Sequence, residues 1–207
     1  MNFFSMDNLF FRTVGKLVDL VWLNILTLVF SLPIFTIGAS FSAMYSVLLK
    51  LVKNEEGGIT SGFFTAFKSN FKNTTLTWIV ALPILLVCGA NLWLLKQGVM
   101  SELPTLEKMS GVGILLIILI VCTVLLYMLP LLARYDQSLK ITFKNSLLLA
   151  VASLPSTVSM LIIGIFPIAL MTLSDYFLWL WWLYGLTFPG YLNAMLLMRI
   201  FDKTQGE

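Results

Sequence analysis

Histidine is absent from this sequence, and charged residues are scarce. Of its 207 residues, only 11% are Asp, Glu, Lys or Arg, whereas soluble domains usually carry about 25% charged residues. Hydrophobic residues make up 59% of the chain, and its mean hydropathy is +0.94. Because a soluble fold of this size could not cover so much apolar surface with polar groups, the composition predicts a single membrane domain over residues 1–207.

The missing histidine removes the commonest metal ligand and the usual proton carrier near neutral pH. The two cysteines, Cys88 and Cys122, lie in separate apolar runs, which indicates packing residues rather than a disulfide. The acidic residues are scattered, and no glycine-rich phosphate loop is present. We therefore expect no catalytic, metal-binding or cofactor-binding residues. The net charge of +3 follows the membrane pattern described below, so no nucleic-acid partner is expected.

Charge-free stretches predict the membrane spans, since about 20 apolar residues cross roughly 30 Å of hydrocarbon. The predicted spans are about 17–34, 37–53, 74–95, 110–132, 157–173 and 177–198. The first two come from one long stretch that is interrupted near Pro33 and Gly38. This stretch forms either a helical hairpin or one kinked helix. The expected fold is therefore an all-α bundle of about six spans, or five if the first segment is one kinked helix.

The distribution of lysine and arginine predicts the orientation of the spans. If the loop between Lys50 and Lys72 is cytoplasmic and residues 17–53 form a hairpin, both termini are cytoplasmic. Of the 13 lysines and arginines, only Lys96 and Lys108 then face outward. This distribution favours the hairpin.

Two segments of the chain have similar sequences. Residues 71–83 are FKNTTLTWIVALP and residues 143–155 are FKNSLLLAVASLP. The match predicts a parallel internal repeat, in which each copy has a cytoplasmic interfacial helix, at about 60–72 and 136–150. These helices combine aromatic residues and lysines at helical spacing.

The interfacial helices supply candidate residues for docking a partner. In the first copy they are Phe63, Phe67, Lys68, Phe71 and Lys72, and in the second they are Tyr135, Lys140, Phe143 and Lys144. The simpler interpretation is that the lysines meet anionic lipid headgroups. The alternative is a surface that binds a cytoplasmic or membrane protein.

Three polar residues are candidates for a role inside the membrane. Asp19 lies near the predicted cytoplasmic end of the first span, where Lys16 is close enough in sequence to pair with it. A carboxylate inside a span is a functional candidate by default. Asn24 and Asn91 fall within spans, and each is expected to form a hydrogen bond between helices. The alternative is that they contact a substrate.

Several motifs resemble the YesL-like family of bacterial membrane proteins, which is catalogued as a domain of unknown function. They are LPIFTIG at 32–38 followed by AMY at 43–45, EEGG at 55–58 leading to FKSNFK at 67–72, and ARYD at 133–136. Ala39 departs from the family pattern, in which proline often follows the glycine. The resemblance spans essentially the whole chain and implies a multi-pass protein of the bacterial cytoplasmic membrane.

The resemblance also implies a direction for function, because such proteins are commonly encoded beside carbohydrate ABC importers. We expect an accessory subunit of such an importer, in contact with the bilayer and with the importer's permease subunits or ATPase. The alternative is a small independent transporter or channel. No residue roles follow from the family.

Overall fold

The computed structural model describes residues 3–55, 57–98, 104–135, 137–171 and 182–205, and within these ranges the chain is helical and contains no strand. The helices are α1 (Phe3–Ser31), a short 3-10 helix (Ile34–Thr36), α2 (Ile37–Val52), α3 (Ile59–Lys96), α4 (Pro104–Arg134), α5 (Leu139–Ala152), α6 (Leu154–Met171) and α7 (Thr187–Gln205). The predicted all-α class is confirmed.

Five of the described segments are long and apolar enough to cross a bilayer. They are Thr13–Ser31, Ile34–Val52, Ile59–Lys96, Thr105–Arg134 and Leu154–Met171. The predicted span 177–198 lies partly outside the described residues. Its described part is interrupted by a turn at Gly185 and Leu186, and α7 begins only at Thr187.

Helices α1 and α2 form a hairpin. Lys16 Nζ donates a hydrogen bond of 2.7 Å to Oδ1 of Asn54, although 38 residues in one straight helix would extend about 57 Å. The chain reverses at Leu32 and Pro33, where a proline cannot donate the helical hydrogen bond. The Thr36 hydroxyl lies 2.6 Å from the Phe30 carbonyl oxygen and so satisfies a carbonyl group at the end of α1. The structure therefore has two helices here rather than one kinked helix.

Helix α3 is continuous over 38 residues. The boundary expected between an interfacial helix at 60–72 and a span at 74–95 is absent. The helix measures about 57 Å, which exceeds the roughly 30 Å of bilayer hydrocarbon. Its first half packs along the hairpin, since Trp22 Nε1 donates to Thr60 Oγ1 at 2.8 Å and Trp78 Nε1 donates to the Ile34 carbonyl at 2.7 Å.

The second copy of the repeated sequence folds differently from the first. Residues 143–155 are divided by Ser153, whose φ of −121° and ψ of 44° end α5 before α6 begins. Helix α5, which begins at Leu139, occupies most of the range 136–150 in which an interfacial helix is predicted. Residues 71–83 run through α3 without a break. The two matching sequences therefore adopt different local structures.

The buried core lies where the hairpin, the first half of α3, the end of α4 and α7 meet. Leu23, Leu48, Phe63, Tyr127 and Leu197 are completely buried there. The rest of α3 and the first part of α4 expose most of their apolar side chains, as expected for surfaces in contact with lipid.

Helix α7 crosses the bundle from α1 to α4. At its start, the Thr187 hydroxyl donates to the Leu20 carbonyl at 2.9 Å. One turn later, Gly190 lies against α2, where an added Cβ would meet Leu48 Cδ1 at 2.9 Å. Near its end, Phe201 contacts Arg134, the last residue of α4. The close approach at Gly190 allows α7 to cover the middle of the hairpin.

Candidate functional site

The docking residues predicted on the first copy are partly internal. Phe63 is completely buried, and its ring centroid lies 5.7 Å from that of Phe30 on α1. Because the first half of α3 packs against the hairpin, the side chain of Phe63 is not accessible to a partner in this structure. Phe67 is half-buried and also contacts Phe30, at 5.4 Å. Phe71 is half-buried and stacks in turn on Phe67.

The lysines of the first copy remain accessible. Lys68 and Lys72 are both exposed and lie one turn apart on α3. Phe63 and Phe67 pack against Phe30, and Phe71 packs against Phe67. The lysines are therefore the most accessible part of this predicted surface.

The second copy presents a different surface. Lys140, Phe143 and Lys144 are exposed on α5, with 47% of Phe143 accessible. We call the exposed side of this helix the α5 outer face, and it consists of Lys140, Ile141, Phe143, Lys144, Leu147, Leu148 and Val151. The side that packs inward carries smaller or polar groups, namely Thr142, Ser146, Leu149 and Ala150. A basic and strongly apolar face is thus turned away from the protein.

Tyr135 does not belong to the α5 outer face. It is half-buried, and its ring meets that of Phe201 edge-on at 6.1 Å. Tyr135 therefore anchors α7 to the end of α4 and offers little surface to a partner.

Asn24 joins α1 to the start of α7. The side chain is completely buried. Its Nδ2 donates to the Trp182 carbonyl at 2.7 Å, and its Oδ1 lies 3.1 Å from the Leu186 nitrogen and 3.3 Å from the Thr187 nitrogen. The first N–H groups of a helix have no partner within the helix. Asn24 supplies that partner from another helix, so its role is structural and interhelical.

Asp19 and Asn91 occupy more open positions. Asp19 is half-buried on α1. Lys16 donates to Asn54, and the ion pair found among the described residues joins Lys53 and Glu55 instead. Asn91 is exposed, and its Nδ2 donates to the Val87 carbonyl of its own helix at 2.8 Å. Of the two asparagines, Asn24 makes the expected connection between helices, whereas Asn91 bonds within its own helix.

Arg134 is a residue that the sequence analysis did not single out. Its guanidinium carbon lies 4.9 Å from the centroid of Phe201 and 5.3 Å from that of Tyr135. Its Nη1 also contacts Met198 Sδ at 3.4 Å. The motif at 133–136 contained this arginine, but its packing partners on α7 are more than 60 residues away in sequence, and no local pattern identifies them.

A cavity of about 610 Å³ lies between α6, α7 and Leu17 of α1. Its walls are almost entirely apolar and consist of Leu17, Ile162, Ile163, Phe166, Pro167, Leu170, Tyr184, Gly185, Phe188, Pro189 and Leu192. A sugar would require several convergent polar groups, and Tyr184 is the one polar side chain among these residues. The cavity suits an apolar occupant.

The described residues contain no group of three or more His, Cys, Asp or Glu side chains placed to hold a metal ion. Cys88 is buried and Cys122 is exposed, and both are free thiols. The polar groups of the described core are mainly amides and hydroxyls, such as the Tyr127 hydroxyl 2.8 Å from Thr157 Oγ1. The Tyr127–Thr157 bond connects α4 and α6, whereas hydroxyls such as those of Thr27, Thr74 and Ser146 donate to carbonyls of their own helices.

The fold and its apolar helices define an α-helical, multi-pass membrane protein. Residues 20–92 match a sequence family described as "Protein of unknown function, DUF624". The matched region contains most of the hairpin and nearly all of α3, including the Phe30 cluster. This match is consistent with the resemblance to the YesL-like family. No curated protein and no solved structure matches the chain.

Proposed function

We propose that the protein is a non-enzymatic accessory subunit of a carbohydrate ABC importer in the bacterial cytoplasmic membrane. The α5 outer face carries this proposal. Helix α5 packs inward through Thr142, Ser146, Leu149 and Ala150. It exposes Phe143, Leu147 and Leu148 on its outer face. Such a face requires an apolar environment, and Lys140 and Lys144 beside it fit an acidic protein surface.

The choice of partner class rests on the resemblance to YesL-like proteins and on their association with carbohydrate importers. The position of α5 is compatible with that role. It follows the end of α4 after a short connection, and the orientation predicted from the lysines and arginines places it on the cytoplasmic side. A permease subunit and its ATPase meet on that same side.

Co-purification tests the proposal. The tagged chain is expressed with the permease subunits and ATPase of a carbohydrate ABC importer from the same organism and purified in mild detergent. We expect the permease to be recovered with the chain, and recovery to fall severalfold in the variant Lys140→Glu/Lys144→Glu. The control is Lys96→Glu/Lys108→Glu, which makes the same charge change at two exposed positions on α3 and α4.

A second pair of variants tests the apolar part of the face. Phe143→Ala should reduce recovery of the permease, whereas Phe166→Ala should not, although Phe166 on α6 is also exposed. Recovery of no permease with the unmodified chain, or equal loss in both members of each pair, would contradict the proposal.

The alternative function is that of a small independent transporter or channel. The purified chain, reconstituted alone into liposomes, would then move a sugar or an ion. The apolar lining of the cavity between α6 and α7 makes this alternative less favourable for a sugar, since the polar groups of the substrate would lose their hydrogen bonds.

A further inference from the structure

The ends of α2, α4 and α7 surround a small basic cavity that the proposed function does not use. It measures about 170 Å³ and is lined by Ser46, Leu49, Lys50, Lys53, Glu55, Ala133, Arg134 and Met198. Since a water molecule occupies about 30 Å³, the cavity accommodates a phosphate group. We call it the α2–α4 basic pocket.

Among the described residues, the groups that contact Arg134 in this pocket carry no negative charge. Phe201 and Met198 are buried, and they contact the guanidinium group together with Tyr135. Aromatic rings attract a cation and fix its orientation, but they supply no negative charge. A guanidinium group offers five N–H donors in a planar fork, and among the described residues Arg134 donates one hydrogen bond, to the weak sulfur acceptor of Met198.

The other charges of the pocket do not cancel each other. Glu55 lies 3.6 Å from Lys53, with about half of each side chain exposed, so their attraction is weak. Lys50 is exposed and shares the same pocket. Three cationic side chains therefore face one carboxylate among the described residues. Glu56 and Asp136 lie outside the described residues.

We propose that the α2–α4 basic pocket binds the phosphate group of an anionic phospholipid, with Arg134 as a bidentate donor and Lys50 as a second positive charge. Arginine pairs with phosphate through two parallel hydrogen bonds. Basic pockets between membrane helices are suited to anionic headgroups. Leu49, Ala133 and Met198 supply the apolar part of the pocket lining, beside which the glycerol backbone of a phospholipid would lie. This proposal does not depend on the accessory role.

Lipid binding to the purified full-length chain tests the proposal. The delipidated protein in detergent is titrated with phosphatidylglycerol, with phosphatidylcholine or with inorganic phosphate, and bound lipid is measured by native mass spectrometry. We expect phosphatidylglycerol to bind at least about tenfold more tightly than phosphatidylcholine. Arg134→Gln and Lys50→Gln should each weaken that binding about tenfold.

The control variant is Lys96→Gln, which removes an exposed lysine at the end of α3, outside the pocket lining. It should change the affinity for phosphatidylglycerol by less than about twofold. The affinity of Arg134→Lys for phosphatidylglycerol should lie between those of the unmodified protein and Arg134→Gln, because lysine retains the positive charge but lacks the planar guanidinium fork. If Arg134→Gln fails to fold, Lys50→Gln decides the question, since Lys50 is exposed and packs little.

Three results would overturn the proposal. The first is equal affinity for the two phospholipids. The second is inorganic phosphate binding as tightly as phosphatidylglycerol, which would assign the pocket to a free anion. The third is unchanged binding of phosphatidylglycerol in a folded Lys50→Gln variant.

Discussion

Replacement of Asn24 by alanine tests the connection between α1 and α7. The substitution removes one hydrogen bond to the Trp182 carbonyl and two from the backbone nitrogens of Leu186 and Thr187. Polar bonds between membrane helices contribute about 0.6 kcal/mol on average, and a buried donor without a partner costs about 1–3 kcal/mol. We expect Asn24→Ala to lower the free energy of unfolding by about 2 kcal/mol.

The measurement is reversible unfolding of the purified protein in bicelles. Asn91→Ala is the matched control, because Asn91 is exposed and bonds only within its own helix, so its loss should cost less than about 0.5 kcal/mol. Equal destabilisation by the two substitutions would refute the assignment of Asn24 as an interhelical cap.

A double-mutant cycle tests whether the hydrogen bonds of Asn24 and Thr187 at the start of α7 act together. Thr187→Val removes the neighbouring bond to the Leu20 carbonyl. Because Asn24 and Thr187 both stabilise the start of α7, the effects of the two substitutions on the free energy of unfolding should be coupled by at least about 0.5 kcal/mol. Additive effects would indicate that the hydrogen bonds of Asn24 and of the Thr187 hydroxyl stabilise the fold independently.

Two further predictions concern the packing and the topology. Gly38→Ala should destabilise the protein by about 1–3 kcal/mol, since its Cβ would lie 2.7 Å from the backbone oxygen of Thr74. Gly89→Ala, which meets no neighbour within 4 Å, should be neutral or slightly stabilising. Thermal unfolding in detergent measures both variants, and equal effects would contradict the close packing of α2 on α3. For the topology, Cys88 and Cys122 are first replaced by serine, and single cysteines are then introduced at Ser61 and Gln97. These cysteines should react with an impermeant maleimide from opposite sides of the membrane. Labelling of both from one side would contradict the predicted orientation.

The sequence predicted the break between α1 and α2 but not the continuity of α3. Pro33 marks a place where a helix loses a donor, so the break could be recognised locally. Lys68 and Lys72 suggested that the membrane segment begins after them, yet they lie on the exposed side of a helix that continues past both. Charge locates a membrane boundary and does not by itself end a helix.

The features that could not be predicted from the sequence depend on contacts between residues that are distant along the chain. The aromatic spacing of Phe63, Phe67 and Phe71 indicated one apolar face of a helix, but nothing local showed that Phe30 would cover it. Asn24 was expected to bond between helices, and it does so, but its partners lie about 160 residues along the chain. The basic surroundings of Arg134 likewise arise only when α2, α4 and α7 meet.

The hairpin of α1 and α2 has a consequence for how the chain enters the membrane. Its turn exposes Leu32, Ile34 and Phe35, and it contains no charged residue. Apolar side chains insert into hydrocarbon with a favourable free energy, whereas a buried lysine or aspartate opposes insertion. The two helices can therefore enter the bilayer together, turn first, while Lys16 and Asn54 stay together on the side from which insertion began.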